Sequence, residues 1–121
     1  MQNFKKVKIY NPNNYSGDYP RKIVQLIFKE EPWLVYGGAF HSVGLEWFLK
    51  EQNIKVTIQA PWSELEGPDY KVLGMGYAYL DFEEKEYHWL KGRSEQYNIG
   101  INEEQKKLLE ETLKAESWTF L

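Results

Sequence analysis

The apolar positions of this chain do not keep one period, and each change of period predicts a new element. Residues 4–10, Phe-Lys-Lys-Val-Lys-Ile-Tyr, alternate well enough for a first strand. The run 11–18, Asn-Pro-Asn-Asn-Tyr-Ser-Gly-Asp, is a loop on its turn chemistry alone. Asp18 then suits a helix N-cap, with Pro20 in the first turn, where a missing N–H costs nothing. Ile23, Val24, Ile27 and Phe28 follow at helical spacing, and Pro32 ends this predicted helix. Trp33 to Tyr36 is a short apolar run, read as a buried strand and broken by Gly37-Gly38. A second helix is expected over 41–52, capped by Ser42, with Val43, Trp47 and Phe48 on one side and Asn53 at its exit. Ile54 to Ile58 alternates cleanly, as a strand with one wet face does.

Beyond an acidic loop at 60–69 lies the longest strand signal, Tyr70 to Phe82. Gly74 and Gly76 interrupt it, which marks a bulge or a close backbone approach. A hairpin turning near Glu83–Lys85 returns through Tyr87 and Trp89, expected on one face, and 97–101 adds a short strand. Asn102 with Gln105 three residues on is a capping-box pattern, and Leu108, Leu109, Thr112 and Leu113 form the stripe of a last helix. The apolar tail Trp118-Thr119-Phe120-Leu121 is expected to dock at a sheet edge or on the core. This order predicts one α+β domain over 1–121: a mostly antiparallel mixed sheet with two to three helices packed on it, on one face.

Composition sharpens this picture in three ways. With no cysteine, disulfides, thiolate metal sites and a Cys nucleophile are impossible. The Lys-bearing N-terminus has no apolar run behind it, and no stretch approaches a membrane span, so a cytoplasmic protein without membrane partners is expected. Residues 1–29 hold six Lys/Arg against one Asp, while 30–121 hold nine Lys/Arg against seventeen Asp/Glu. An acidic body repels phosphate, so nucleic acid is not the expected partner.

Catalytic patterns are weak. His41 and His88 lack companions at ligand spacing, so neither a metal nor any other cofactor is expected. No serine sits in a Gly-x-Ser-x-Gly elbow, and the glycine pairs lack a phosphate-loop frame. Glu64, Glu66 and Asp69 beside Trp62 have the residue types of a glycosidase, but an open loop does not desolvate a carboxylate enough to raise its pKa. No catalytic residue is assigned, and the chain is not expected to be an enzyme.

Acids beside aromatics stand out instead. Residues 64–86 carry seven Asp/Glu against two Lys, accompanied between 62 and 89 by six Trp and Tyr. Trp and Tyr anchor interfaces, and charge complementarity sets encounter rate. Trp62, Glu64, Glu66, Asp69, Tyr70, Asp81, Glu83, Glu84 and Glu86 are therefore the candidate partner-binding residues, suited to a basic protein. A carbohydrate or small-ligand module using Trp62, Tyr70 and Trp89 as platforms is the alternative.

A small, Cys-free, acidic, aromatic-rich α+β chain resembles the immunity proteins of bacterial polymorphic-toxin and contact-dependent inhibition systems. The resemblance covers the whole chain in type and has no diagnostic motif. It implies a cofactor-free cytoplasmic inhibitor that neutralises a cognate toxin domain, such as a nuclease. Phage-encoded inhibitors and non-catalytic subunits share the profile.

Overall fold

The computed structural model describes residues 5–54, 65–67 and 69–121. All but Ile54 of the strand expected at 54–58, and most of the acidic loop, fall outside them. The described residues form an α+β fold in the order β1 (Lys8–Tyr10), β2 (Arg21–Phe28), β3 (Glu31–Tyr36), α1 (His41–Glu51), β4 (Tyr70–Asp81), β5 (Glu86–Lys91), β6 (Arg93–Ser94), β7 (Ile99–Gly100), α2 (Glu103–Ala115) and β8 (Thr119–Phe120). Six strands make one sheet in the order β1-β3-β2-β4-β5-β8, and β6 with β7 makes a small second one. The interior pairs are antiparallel, while β1 on β3 and β8 on β5 are parallel. The mixed, mostly antiparallel sheet expected from the sequence is thus present, and the C-terminal tail closes one of its edges.

Where the sequence predicts a first helix, the chain is the strand β2. Ile23, Val24, Gln25 and Leu26 are all buried, because both faces of this central strand are covered. A strand buried on two sides loses its alternation, and a continuous apolar run also fits helical spacing. Lys29 and Glu30, at φ 48° and 66°, form the two-residue link to β3. Positive φ at both positions is what a type I′ hairpin requires. Asp18, at φ 65°, is a turn residue and not a cap, and Pro32 lies inside β3. Among the described residues the helices are therefore two.

The two helices lie on opposite faces of the sheet, not on one. Leu45, Phe48 and Leu49 of α1 pack on Val24, Leu26, Phe28, Val35, Val72 and Met75. Leu109 and Leu113 of α2 pack on the other side with Ile23, Leu34, Tyr36, Ala78, Leu80 and Leu90. The sheet curls around α2. Val7, ahead of β1, donates its N–H to Thr112 Oγ1 at 2.9 Å, and Tyr87 in β5 donates its hydroxyl to Glu110 Oε2 at 2.8 Å.

The start of α2 is fixed as the capping pattern predicts, with one change. Asn102 Oδ1 accepts the Gln105 N–H at 2.9 Å. The return bond to the cap comes from β2: Gln25 Oε1 accepts the Asn102 N–H at 2.7 Å, and Gln25 Nε2 donates to the Asn102 carbonyl at 3.1 Å. Gln105 Nε2 donates instead to the Leu26 carbonyl at 2.9 Å. This explains a polar side chain, 1% exposed, in the central strand: a buried amide is tolerated when its donors and acceptors are matched.

Candidate functional site

β4 carries small and large residues in alternation. Gly74, Gly76 and Ala78 face α2, while Met75, Tyr77 and Tyr79 face the α1 side, as their partners Ile23, Val24 and Trp89 require. The small set has a steric cause. A Cβ on Gly74 would lie 2.6 Å from Asn102 N, and one on Gly76 would lie 2.8 Å from the Lys91 carbonyl.

On the α1 side, cross-strand register sets side chains in rows. Lys22, Tyr77 and Lys91 lie opposite one another across β2, β4 and β5, and Tyr79 lies opposite Trp89 in the next row. The Lys22 ammonium sits 5.3 Å over the Tyr77 ring, and that of Lys91 sits 4.7 Å over Trp89. Rings hold cations this way through their quadrupole. The Tyr79 and His88 rings lie 4.3 Å apart. Since α1 packs chiefly on β2 and β3, Tyr77, Tyr79 and Trp89 remain only half-buried.

Two clefts open at this end of the face and share Lys22 and Tyr77. One, of about 390 Å³, adds Phe40, His41, Arg93, Ser94, Glu95 and Gln96. The other, of about 370 Å³, adds Tyr15, Tyr19, Pro20, Arg21, Gly38, Ala39 and Trp47. Tyr19, Phe40 and Trp47 are 57%, 60% and 38% exposed, and three of the four large apolar side chains that the described residues expose thus meet here. Exposed apolar groups gathered in one place mark interaction surfaces, whereas scattered ones do not. The Arg21 guanidinium is stacked between Tyr15 and Tyr19, at 3.8 and 4.0 Å from their centroids.

His41 is the first residue of α1, and Phe40, not Ser42, is the N-cap. The His41 Nε2 lies 2.8 Å from the Gly76 carbonyl. A carbonyl can only accept, so Nε2 carries the proton. Burial pushes the pKa of His41 down, the bond to Gly76 opposes this, and the Lys22 charge adds to it. The imidazole is therefore neutral near pH 7, and the positive charge of the cleft comes from Lys22 and Arg93, with Glu95 at its exposed edge.

The acidic segment is not one surface. Trp62 and Glu64 lie outside the described residues. Glu66 and Asp69 are exposed at the start of β4, whereas Asp81, Glu83, Glu84 and Glu86 lie at or beyond its end. An extended strand of twelve residues separates its ends by roughly 35 Å. Tyr70 is 7% exposed and packs in the α1-side core, so it is neither an interface anchor nor a sugar platform. Asp81 serves the hairpin. Its Oδ1 accepts the N–H groups of Glu84 and Glu83 at 3.0 and 3.1 Å and the Ser16 hydroxyl at 3.2 Å. Those bonds, Glu84 foremost, hold its carboxyl below the usual range. Glu83 and Glu84 remain exposed at the turn.

Comparison with protein-family models, with curated proteins and with solved structures finds no significant match. Among the described residues no three His, Asp or Glu side chains gather as a metal site would need, and no helix is long and apolar enough to cross a membrane.

Proposed function

We propose that this chain is a protein-binding inhibitor of the toxin-immunity kind, and that it docks through the aromatic and cationic face around Lys22 and Tyr77. The observation that carries the reading is the convergence of Tyr19, Phe40 and Trp47, all exposed, on the rims of two joined clefts. Aromatic anchors beside pockets are where interface energy concentrates. A carbohydrate platform competes for the same face, since Tyr77, Tyr79 and Trp89 line it. The ammonium groups over Tyr77 and Trp89 favour a protein partner, because they occupy ring faces on which a sugar would stack.

The test is capture by the tagged chain in the organism that encodes it. One partner is expected in a stoichiometric complex. Phe40→Asp with Trp47→Asp should release it while circular dichroism is unchanged. Expressed alone, that partner should arrest growth, and co-expression of this chain should restore it. A partner that is harmless when expressed alone would remove the inhibitor reading, and the absence of any stoichiometric partner would remove the binding reading.

A further inference from the structure

We infer that the partner presents an acidic segment to this face, one carboxylate of which seats between Lys22 and Arg93 in the cleft closed by His41. The inference rests on the protein-binding reading above and specifies the chemistry of the partner. It also reverses the charge expected from the sequence, where the acids pointed to a basic toxin surface.

The first support is unspent positive charge. Among the described residues the ion pairs join Lys8 to Glu31 and Lys50 to Glu46, and none involves Arg21, Lys22, Lys91 or Arg93. Within the cleft Glu95 is the one acidic residue of the lining, and it is exposed. Arg93 gives one N–H to Asn98 Oδ1. A guanidinium has five N–H donors, and its fork suits a carboxylate. The N-terminus of α1 opens on the same cleft through His41 with no acidic residue in its first turn, so its dipole adds positive potential.

The second support is preorganisation. Lys22 and Lys91 are flexible side chains held over Tyr77 and Trp89, so part of the ordering cost of binding an anion is met before the partner arrives. Phe40 and Tyr77 give the cleft apolar walls, and a partner seated on them would shield the pair from water and strengthen it.

The third support selects among anions. From residue 30 onward the chain carries nine Lys/Arg against seventeen Asp/Glu. A nucleic-acid backbone extending beyond the cationic face would meet that acidic excess. A short acidic stretch of a protein ends within the cationic face and does not.

The probe is a short fluorescein-labelled peptide of Glu, Asp and Tyr, followed by anisotropy and by amide-shift mapping. The acidic peptide should bind, and the shifts should centre on Lys22, Phe40, His41, Tyr77 and Arg93. The same peptide with Lys for its acids should not bind. Lys22→Gln with Arg93→Gln should weaken the acidic peptide about tenfold or more, with amide dispersion unchanged. Arg93→Gln alone, at an exposed residue of the cleft, supplies a second test should Lys22→Gln disturb the sheet, and an unchanged affinity there overturns the inference. Raising salt should weaken binding, since the Debye length falls from about 10 Å at 0.1 M to about 3 Å at 1 M. The inference is overturned if the acidic peptide does not bind, if its shifts map elsewhere, or if a labelled oligothymidylate binds this face more tightly. Should the wild-type chain capture a partner that the Lys22→Gln, Arg93→Gln variant captures equally well, the inference falls and the protein-binding reading stands.

Discussion

Gly74→Ala puts one methyl group where the fold has no room for it. The new Cβ would lie 2.4 Å from Gln25 Oε1, 2.6 Å from Asn102 N and 2.7 Å from the Gly100 carbonyl. Two of those atoms are backbone, so no rotamer change relieves the clash. Overpacking of this kind costs about 1–3 kcal/mol. Displacing Gln25 also breaks its bond to the Asn102 N–H, and a buried donor left without a partner costs about 1–3 kcal/mol more. Ala restricts the unfolded chain and returns about 0.4–1 kcal/mol. A net loss of roughly 1–5 kcal/mol follows. At this chain length that lowers the melting temperature by roughly 3–5 °C per kcal/mol. Gly100→Ala is the control, since a Cβ there meets its nearest neighbours at 3.7 and 3.8 Å. It should stay within about 0.5 kcal/mol of wild type. Urea midpoints of the two variants, with amide exchange at Asn102 as a local readout, make the comparison. Equal midpoints would refute the close-approach account of Gly74.

In the β2–β3 hairpin, Lys29→Asn with Glu30→Gly should raise stability by about 1–2 kcal/mol, because L residues at positive φ are strained; an unchanged midpoint would mean the turn is not strained. Tyr36→Phe removes the hydroxyl that accepts the Leu80 N–H at 3.0 Å beyond the end of β2, and should cost about 1–3 kcal/mol in the same assay. His41 faces Lys22 from β2, Tyr77 from β4, and Arg93 and Glu95 across the cleft. Its folded pKa lies below the unfolded 6.5, so the unfolded chain takes the proton first and stability should fall as pH drops below about 6.5; His41→Gln should flatten the pH dependence of the urea midpoint, and an unflattened profile would place the titration elsewhere. Glu83→Lys with Glu84→Lys alters exposed turn charges away from the cleft lining, so acidic-peptide affinity should change less than it does with Arg93→Gln; an equal or larger change would move the docking surface to the hairpin.

Local signals made α2, the hairpin at 82–85 and the docked tail legible, because each rests on residues a few positions apart. Asn102 and Gln105 announce the helix start by their spacing. The other half of that cap, Gln25, lies 77 residues away and has no local signature. The β2–β3 hairpin was hidden for a different reason: its turn is Lys29-Glu30 and lacks the Asn-Gly or Asp-Gly that marks such turns. Without a turn signal, an apolar run with both faces buried reads equally well as a helix. The acidic segment looked like a surface because its residues are neighbours in sequence, but a strand carries its two ends apart. The cleft is the converse case. Lys22, His41, Tyr77 and Arg93 come from β2, α1, β4 and β6, and only the sheet register unites them.

That register depends on two bulges. Between β2 and β4, Gln25 pairs with Gly74 and Leu26 with Val72, so Leu73 is the extra residue. Before it, Tyr70 and Val72 face α1; after it, Met75, Tyr77 and Tyr79 do. Without the bulge the phase would be reversed, since a slip of one residue turns a strand over. Leu73 would then take the place of Gly74 against the Asn102 cap, where even a methyl group does not fit, Tyr77 and Tyr79 would turn to the α2 side, and the glycines would face α1. Between β4 and β5, Tyr79 pairs with Trp89 and Leu80 with Tyr87, leaving His88 extra. Strict alternation puts Tyr87 and Trp89 on one face, as the sequence suggests. The bulge separates them, leaving Tyr87 in the α2-side core and turning Trp89 to the cations. Each bulge interrupts a ladder locally, and such interruptions concentrate where a side chain must be re-aimed beside a functional site. Here both act in the same direction. They take Tyr77, Tyr79 and Trp89 out of phase with the α2-side core and set them in rows with Lys22 and Lys91. Core packing needs these shifts as well, since they seat Gly74, Gly76, Ala78, Leu80 and Tyr87 on the α2 side, and the half-buried aromatic rows on the α1 side follow from the same two irregularities.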